Sequence, residues 1–413
     1  MSDIMNNLPK NTDNNHRREE TFMRKKYSVF FIAFAIMLTF GIFCGFTLKQ
    51  KVFADSENVF KSKSVILTDY NSGTVIAEQN SKQHLPIASM CKIMTLLLTF
   101  EQIDKGALNF DENITVSETA AGMGGSQVFL EAGAMYKTSD LIKSIVVASA
   151  NDACVAIAET IAGSEDSFVS LMNARAKELG MADTVFNNCT GLPKPGQYSC
   201  AKDVSVMFCE LLNHEDYFKY STIWMDEISH PKGRVTEISN TNKLVRFYNG
   251  CDSGKTGYTS EAGHCLAASA VRNGMRLVCV VISSPDSKTR FAEVSSLFNN
   301  GFANYTNKLI IDSSSPLEIE VNVKRGVKDS LTVMPEKSFY LFSAKNVQRS
   351  IEQDFQPFDE VKAPVRNGDC VGKIVIYENG VEIGSVNVLA AEDIAEKTYF
   401  DYIKDIGDNW GLL

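Results

Sequence analysis

Two short apolar runs, Ser-Val-Ile-Leu-Thr-Asp from Ser64 and Thr-Val-Ile-Ala-Glu from Thr74, flank the turn-forming triplet Asn71-Ser72-Gly73. Strand-length runs around such a turn predict a β-hairpin. Residues 93–100 are apolar nearly all round, which predicts a buried helix, and Pro86, just ahead of Ile87-Ala-Ser-Met-Cys-Lys92, suits its start. A second, largely apolar helical stretch covers 141–162 but is interrupted by Ser149, Asn151 and Asp152, polar groups that need partners when buried. Residues 254–258, 264–271 and 277–283, with Asn273-Gly274 between the last two, predict antiparallel strands.

Strands, then helices, then strands is the order of an α+β domain in which helices pack on an antiparallel sheet, here over about 58–305. Beyond Ser313-Ser-Ser-Pro316 the period changes to two, with Leu317, Ile319, Val321 and Val323 on one face and a hairpin signal at Asn379-Gly380. This predicts a small all-β domain over 311–390. In the tail, 391–413, Ala395, Tyr399, Tyr402, Ile403 and Ile406 recur at helical spacing from Glu392 onward, the pattern of an amphipathic helix. Its acidic residues, Glu392, Asp393, Glu396, Asp401 and Asp405, outnumber Lys397 and Lys404, so a lipid surface and a protein surface both stand as its neighbour.

The first 57 residues have another character. Arg17, Arg18, Arg24, Lys25 and Lys26 precede 27–48, a run without a charged residue. That pairing predicts a membrane-targeting segment with its basic flank in the cytoplasm and everything after Lys49 exported. Val52-Phe53-Ala54 offers a signal-peptidase site, and the sequence is compatible with cleavage there or with a retained anchor.

Composition narrows the function classes. The 413 residues are 44% hydrophobic, enough for a sizeable core in more than one domain. A net charge of -9, with no basic stripe in the folded part, argues against a nucleic-acid partner. Cys91, Cys154, Cys209 and Cys279 sit in apolar runs and read as small buried hydrophobes, and no C-x-x-C pair occurs, so neither a disulfide scaffold nor a metal or other cofactor is expected.

Three motifs carry candidate chemistry. Ser89 and Lys92, three apart, share a helix face, so the amine can activate the hydroxyl. The same spacing recurs at Ser199 and Lys202 and at Ser229 and Lys232, but only Lys92 lies in an apolar helix, where an ammonium is costly and its pKa should fall. Ser149-Ala-Asn151 supplies a hydroxyl able to relay a proton and an amide able to hold a carbonyl, although Ser56-Glu-Asn58 matches equally and such a break is often only a helix cap. Lys255-Thr256-Gly257 would set a cation and a hydroxyl along a strand, with Gly257 permitting close approach; alone it could be a surface turn. The ordered set, each motif on the expected helix, helix break and strand, is what chance rarely supplies.

Taken together the motifs resemble the penicillin-recognising serine enzymes, and from about 64 to 406 the chain resembles their low-molecular-mass D-alanyl-D-alanine carboxypeptidases. Further matching stretches are Thr190-Gly-Leu-Pro193, Lys255-Thr-Gly-Tyr-Thr259 and Glu261-Ala-Gly263. The resemblance implies Ser89 as nucleophile, Lys92 as its base, Ser149 and Asn151 as proton relay and substrate clamp, and Lys255 in electrostatics and proton traffic. It further implies Thr256 at the substrate's terminal carboxylate, backbone amides of Ser89 and Tyr258 as the oxyanion hole, and Lys255, Thr256, Gly257 and Tyr258 together as the substrate-binding stretch. The partners would be peptidoglycan stem peptides ending in D-Ala-D-Ala, β-lactam antibiotics, and the extracytoplasmic face of a membrane reached through the N-terminal segment, with the terminal helix as a second candidate contact. Ser253-Gly254, Cys91 and Cys200 depart from the commoner family residues. A β-lactamase is the second reading, but its class A members need Glu-x-x-Leu-Asn, and ahead of Leu212-Asn213 that glutamate would fall on Cys209, with Glu210 out of register. A catalytically idle surface protein is the third, disfavoured by the presence of all five reactive side chains.

Overall fold

A computed structural model of the chain describes residues 60–358 and 360–410. The targeting segment expected at 27–48 and the cleavage site after Ala54 lie outside the described residues. Among the described residues no helix is long and apolar enough to cross a membrane.

The centre is a five-stranded antiparallel sheet of β1 (Ser64–Asp69), β2 (Val75–Gln79), β3 (Cys251–Thr259), β4 (Gly263–Arg272) and β5 (Met275–Ser284), in the order β2-β1-β5-β4-β3. The apolar runs of β1 and β5 are two interleaved period-two patterns. Ile66, Val278, Val280 and Ile282 face one core, whereas Val65, Leu67, Leu277, Cys279 and Val281 face a second core on the other side. A strand buried on both faces reads as continuous hydrophobicity, which is why these segments lack alternation. The β4–β5 turn places Asn273 and Gly274 at φ 51° and 75°, as the expected Asn-Gly hairpin requires.

Helices α1 (Lys92–Asp104), α2 (Asn151–Ala162) and α3 (Ala201–Leu211) contribute to the first core, and α4 (Ser287–Asn304) covers the second. After α4, Tyr305–Ile311 pairs with Phe339–Ala344, and the remaining strands form sheets of three and four around a separate core that includes Val333, Ile374, Ile376 and Val388. The hairpin expected at Asn379-Gly380 joins Cys370–Glu378 to Val381–Ala390. The α+β domain followed by an all-β part is therefore borne out.

Two local expectations are corrected. Pro86 does not start a helix: Ala88–Cys91 is a 3₁₀ turn entered through Ala88 at φ 47°, and α1 begins at Lys92. The tail helix does not begin near Glu392 either. Ile394 is buried and bridges to Val365, Ala395 accepts the Val327 amide, and α5 spans Tyr399–Trp410, with the Asp401 carboxylate taking both the amide and the hydroxyl of Thr398 at its start. Strand-like pairing of 394 outcompetes a weak helical period, so Ala395 drops out of the amphipathic set. The nine cysteines among the described residues are free thiols, with Cys91, Cys154 and Cys279 buried as expected, Cys209 half-buried and Cys370 exposed.

Candidate active site

The 3₁₀ turn before α1 sets the relation between the first two candidates. Ser89 is half-buried, whereas Lys92 is wholly buried, and the Lys92 amine lies 3.1 Å from the Ser89 hydroxyl oxygen. The same amine donates to the Thr190 carbonyl at 2.5 Å. Among the described residues no carboxylate forms an ion pair with it, so burial dominates and pushes its pKa down. A neutral amine can spend N–H groups on a carbonyl and keep a lone pair for a hydroxyl proton, which is what a base for Ser89 needs.

The polar break between the second pair of helical segments is equally specific. The chain leaves Thr138–Lys143 through a π turn, Ser144–Ala148, and Ser149 takes a left-handed conformation at φ 62° before α2 starts at Asn151. That kink aims the Ser149 hydroxyl at Lys255, whose amine is 2.7 Å away. Asn151 donates its side-chain amide to the Gly124 carbonyl and its backbone amide to the Ser126 carbonyl, both at 2.7 Å. Its Oδ1 is buried and has no hydrogen-bond partner among the described residues, leaving an acceptor for a substrate N–H. Asp152, the third polar residue of the break, accepts the amides of Val128 and Leu130.

Strand β3 closes the cleft. Lys255 is buried, and burial first, then repulsion by Lys92 and Arg290, pushes its pKa well down. Thr256 donates its hydroxyl to Thr241 at 2.8 Å, and the Lys255 amine also donates to the Thr256 carbonyl at 3.1 Å. A Cβ on Gly257 would stand 2.7 Å from the Ile87 carbonyl oxygen and 3.1 Å from the Ser89 amide nitrogen, so only glycine lets the strand lie against the turn that carries Ser89. The Tyr258 ring is exposed and stacks on His264, with centroids 4.4 Å apart.

Ser89, Lys92, Ser149, Lys255 and Gly257 thus join one group, linked by the two amine–hydroxyl contacts, the packing of Gly257 on the Ser89 turn and the repulsion between Lys92 and Lys255, with Asn151 and Thr256 next to it along the chain. The competing Ser-x-x-Lys pairs do not: the Ser199 hydroxyl meets Thr184, and Lys202 and Lys232 are exposed. The sequence reading missed Arg290. From the first turn of α4 its guanidinium donates to the carbonyls of Gly257 and Cys265 at 3.3 and 3.1 Å, and burial brings its pKa down to about 10. A guanidinium thereby stands behind β3, and nothing in Ser287-Lys-Thr-Arg290 distinguishes it from an ordinary charged helix start.

Residues 51–286 match the family described as D-alanyl-D-alanine carboxypeptidase, and residues 305–396 match the C-terminal domain of penicillin-binding protein 5. D-alanyl-D-alanine carboxypeptidase DacF of Bacillus subtilis is 35% identical over 363 residues, covering 88% of this chain and 93% of that protein. The chain belongs to the D-alanyl-D-alanine carboxypeptidase family. This carboxypeptidase is also 32% identical to DacC of Escherichia coli over 87% of its own length and 90% of the relative's. Penicillin-binding protein 5 of Haemophilus influenzae has a similar crystal structure, with a TM-score of 0.66, 28% identity and coverage of 83% of this chain and all of that one. The resemblance read from the three motifs is borne out: the chain is a serine-type D-Ala-D-Ala carboxypeptidase of the low-molecular-mass penicillin-binding class.

The β-lactamase reading is not better supported, and the glutamate that class A members need is not supplied by Glu210 in space either. Glu210 is held by Arg175, which simultaneously binds Glu101, nine residues beyond Lys92 and hence about 13 Å along α1 from it. A carboxylate tied to that end of the helix is out of reach of an ester on Ser89.

Proposed function

We propose that the carboxypeptidase removes the terminal D-alanine of peptidoglycan stem peptides by the following division of labour. The Ser89 oxygen attacks the carbonyl of the penultimate D-alanine while its proton passes to the neutral Lys92 amine. Backbone amides of Ser89 and Tyr258 receive the oxyanion, and Asn151 holds the peptide amide through its unpaired Oδ1. The terminal carboxylate sits on Thr256 before the Arg290 guanidinium, and its negative charge, arriving beside Lys255, favours the protonated amine there, a pairing that makes the site exacting for a free C-terminus. Collapse breaks the C–N bond, and the departing amine takes a proton relayed through Ser149 from Lys255, 2.7 Å apart, which recovers one from Lys92 and so leaves the Lys92 amine neutral again. Lys92 then takes a proton from water as that water attacks the acyl ester, and hands it to the departing Ser89 oxygen, 3.1 Å away, which restores both groups. A β-lactam follows the same path to the ester, but its leaving group stays tethered and hydrolysis stalls.

The observation that carries this reading is a wholly buried lysine, without a carboxylate partner among the described residues, 3.1 Å from a half-buried serine. Purified protein incubated with a stem pentapeptide and with penicillin should release free D-alanine and gain the mass of one penicillin. Ser89→Ala should abolish both. Release of alanine by that variant, or rapid turnover of penicillin by the wild type, would defeat the proposal.

Such a substrate lies outside the cytoplasmic membrane, and we place the enzyme on that face, anchored at its N-terminal segment with α5 resting on the lipid. On α5 the side chains of Tyr399, Phe400, Tyr402, Ile403 and Ile406 are 43–78% exposed. Positions 399, 402, 403 and 406 share a face with Phe400 at its edge, and among the described residues nothing buries that face. Burying a Phe and an Ile in the interface contributes on the order of 2 kcal/mol each. The double variant Phe400→Ser, Ile403→Ser should therefore cut co-sedimentation with lipid vesicles at least tenfold while alanine release from a soluble peptide stays unchanged; equal sedimentation would rule α5 out as a membrane contact.

A further inference from the structure

The loop of residues 124–131 supplies the Gly124 and Ser126 carbonyls that fix Asn151, and a Cβ on Gly125 would stand 2.8 Å from the Asn151 side-chain nitrogen. The far end of that loop is held by a row of side chains with no place in the chemistry described so far. Thr236, on the hairpin formed by Met225–Ser229 and Val235–Ser239, lies 3.1 Å from the Val128 carbonyl oxygen. His230, beyond the first of those strands and only 7% exposed, has Nε2 2.9 Å from the Thr236 hydroxyl and Nδ1 2.8 Å from the Tyr136 hydroxyl. The Tyr136 oxygen in turn lies 3.2 Å from the Glu131 amide.

The two ends of this row dictate its proton order. The Val128 carbonyl can only accept, so Thr236 spends its proton there and must accept from an N–H at Nε2. The Glu131 amide can only donate, so Tyr136 accepts it and spends its own proton on a bare Nδ1. One tautomer satisfies every link, the neutral imidazole protonated at Nε2. A second proton at Nδ1 would face the Tyr136 hydroxyl and leave one of the two hydrogens without an acceptor.

We propose that neutral His230 is a positioning residue for catalysis: by tying Thr236 to Tyr136 it holds residues 128–131, and through the loop it sets the Asn151 amide against the substrate. Its surroundings favour that state. Burial first, then Arg234, which also donates to the Phe129 carbonyl and to Glu131, lowers the His230 pKa; the carboxylates of Glu131 and Asp152 oppose them, and Tyr136 contributes a neutral ring edge 5.6 Å away. Protonation below the ordinary histidine range would break the row and loosen the clamp.

Two variants test this. His230→Phe keeps a ring but neither nitrogen, whereas His230→Gln offers one donor and one acceptor and does not titrate. With D-alanine release measured between about pH 5 and 8, the Phe variant should lose on the order of tenfold in kcat/KM, chiefly through KM, at a melting temperature that still shows a folded enzyme. The Gln variant should recover to within about threefold of wild type and lack one titration on the acid side of the profile. A Phe variant as active as wild type, a Gln variant as impaired as Phe, or an unchanged acid limb in Gln would each overturn the proposal. The inference rests on Asn151 as the substrate clamp, and that assignment fails separately if Asn151→Ala keeps wild-type activity.

Discussion

Lys92→Met lowers the rate of Ser89 acylation by about 10³-fold or more, since a general base contributes about 10²–10⁴-fold and no other group lies within hydrogen-bonding distance of the Ser89 hydroxyl among the described residues. Methionine is the informative replacement because it fills the buried channel without branching. The same pair of proteins reports the charge state of the lysine. In the unfolded chain Lys92 titrates near its ordinary 10.5, and burial lowers the folded value. Between those two values the unfolded state holds the extra proton, so folding releases it and wild-type stability rises with pH through that window. The methionine variant has no such term. The stability of wild type minus that of the variant, from denaturant titrations at successive pH values, should therefore climb toward pH 10.5 with a slope approaching about 1.4 kcal/mol per pH unit. A flat difference would mean that Lys92 keeps its proton in the fold, and Ser89 would then need another base.

Much of this fold is legible in the sequence, because its elements are set by local periodicity. The hairpin of β1 and β2 and the paired strands around Asn273-Gly274 follow from apolar runs and turn residues alone. The motifs proposed as catalytic are legible for a related reason: Ser89 and Lys92 are neighbours on one local turn, and Lys92 is an ionisable group in an apolar frame. What could not be read are contacts between segments that no local pattern links. The Thr190 carbonyl under Lys92 and the Arg290 guanidinium behind β3 have no periodic signature, and the row from Tyr136 through His230 to Thr236 joins segments whose own patterns say only loop and edge strand. Ala88 shows a different limit. Its left-handed conformation is imposed by tertiary packing on a residue that locally prefers a helix, so the sequence placed the helix start several residues early.

That packing leads to the second large effect. Gly191 sits at φ 82°, with its amide held by the Asn188 side chain at 2.7 Å, and a Cβ there would stand 1.9 Å from the Ala88 carbonyl oxygen. Both sides of this contact are backbone, so no rotamer relieves it. One is the loop whose Thr190 carbonyl receives Lys92; the other is the turn that presents Ser89. Gly191→Ala adds about 1–2 kcal/mol of left-handed strain to a clash that must push these two segments apart, and a loss above about 3 kcal/mol is expected in all. Because the displacement opens the Lys92–Ser89 geometry, acylation by penicillin should fall at least a hundredfold even in the folded fraction. Gly180→Ala is the control: its φ of 71° costs the same strain, but a Cβ there meets nothing within 4 Å. It should lose about 1 kcal/mol and acylate at the wild-type rate. If the two variants behave alike in denaturant titration and in penicillin labelling, the Thr190 loop does not bear on the nucleophile's turn, and the buried amine is oriented by some other contact.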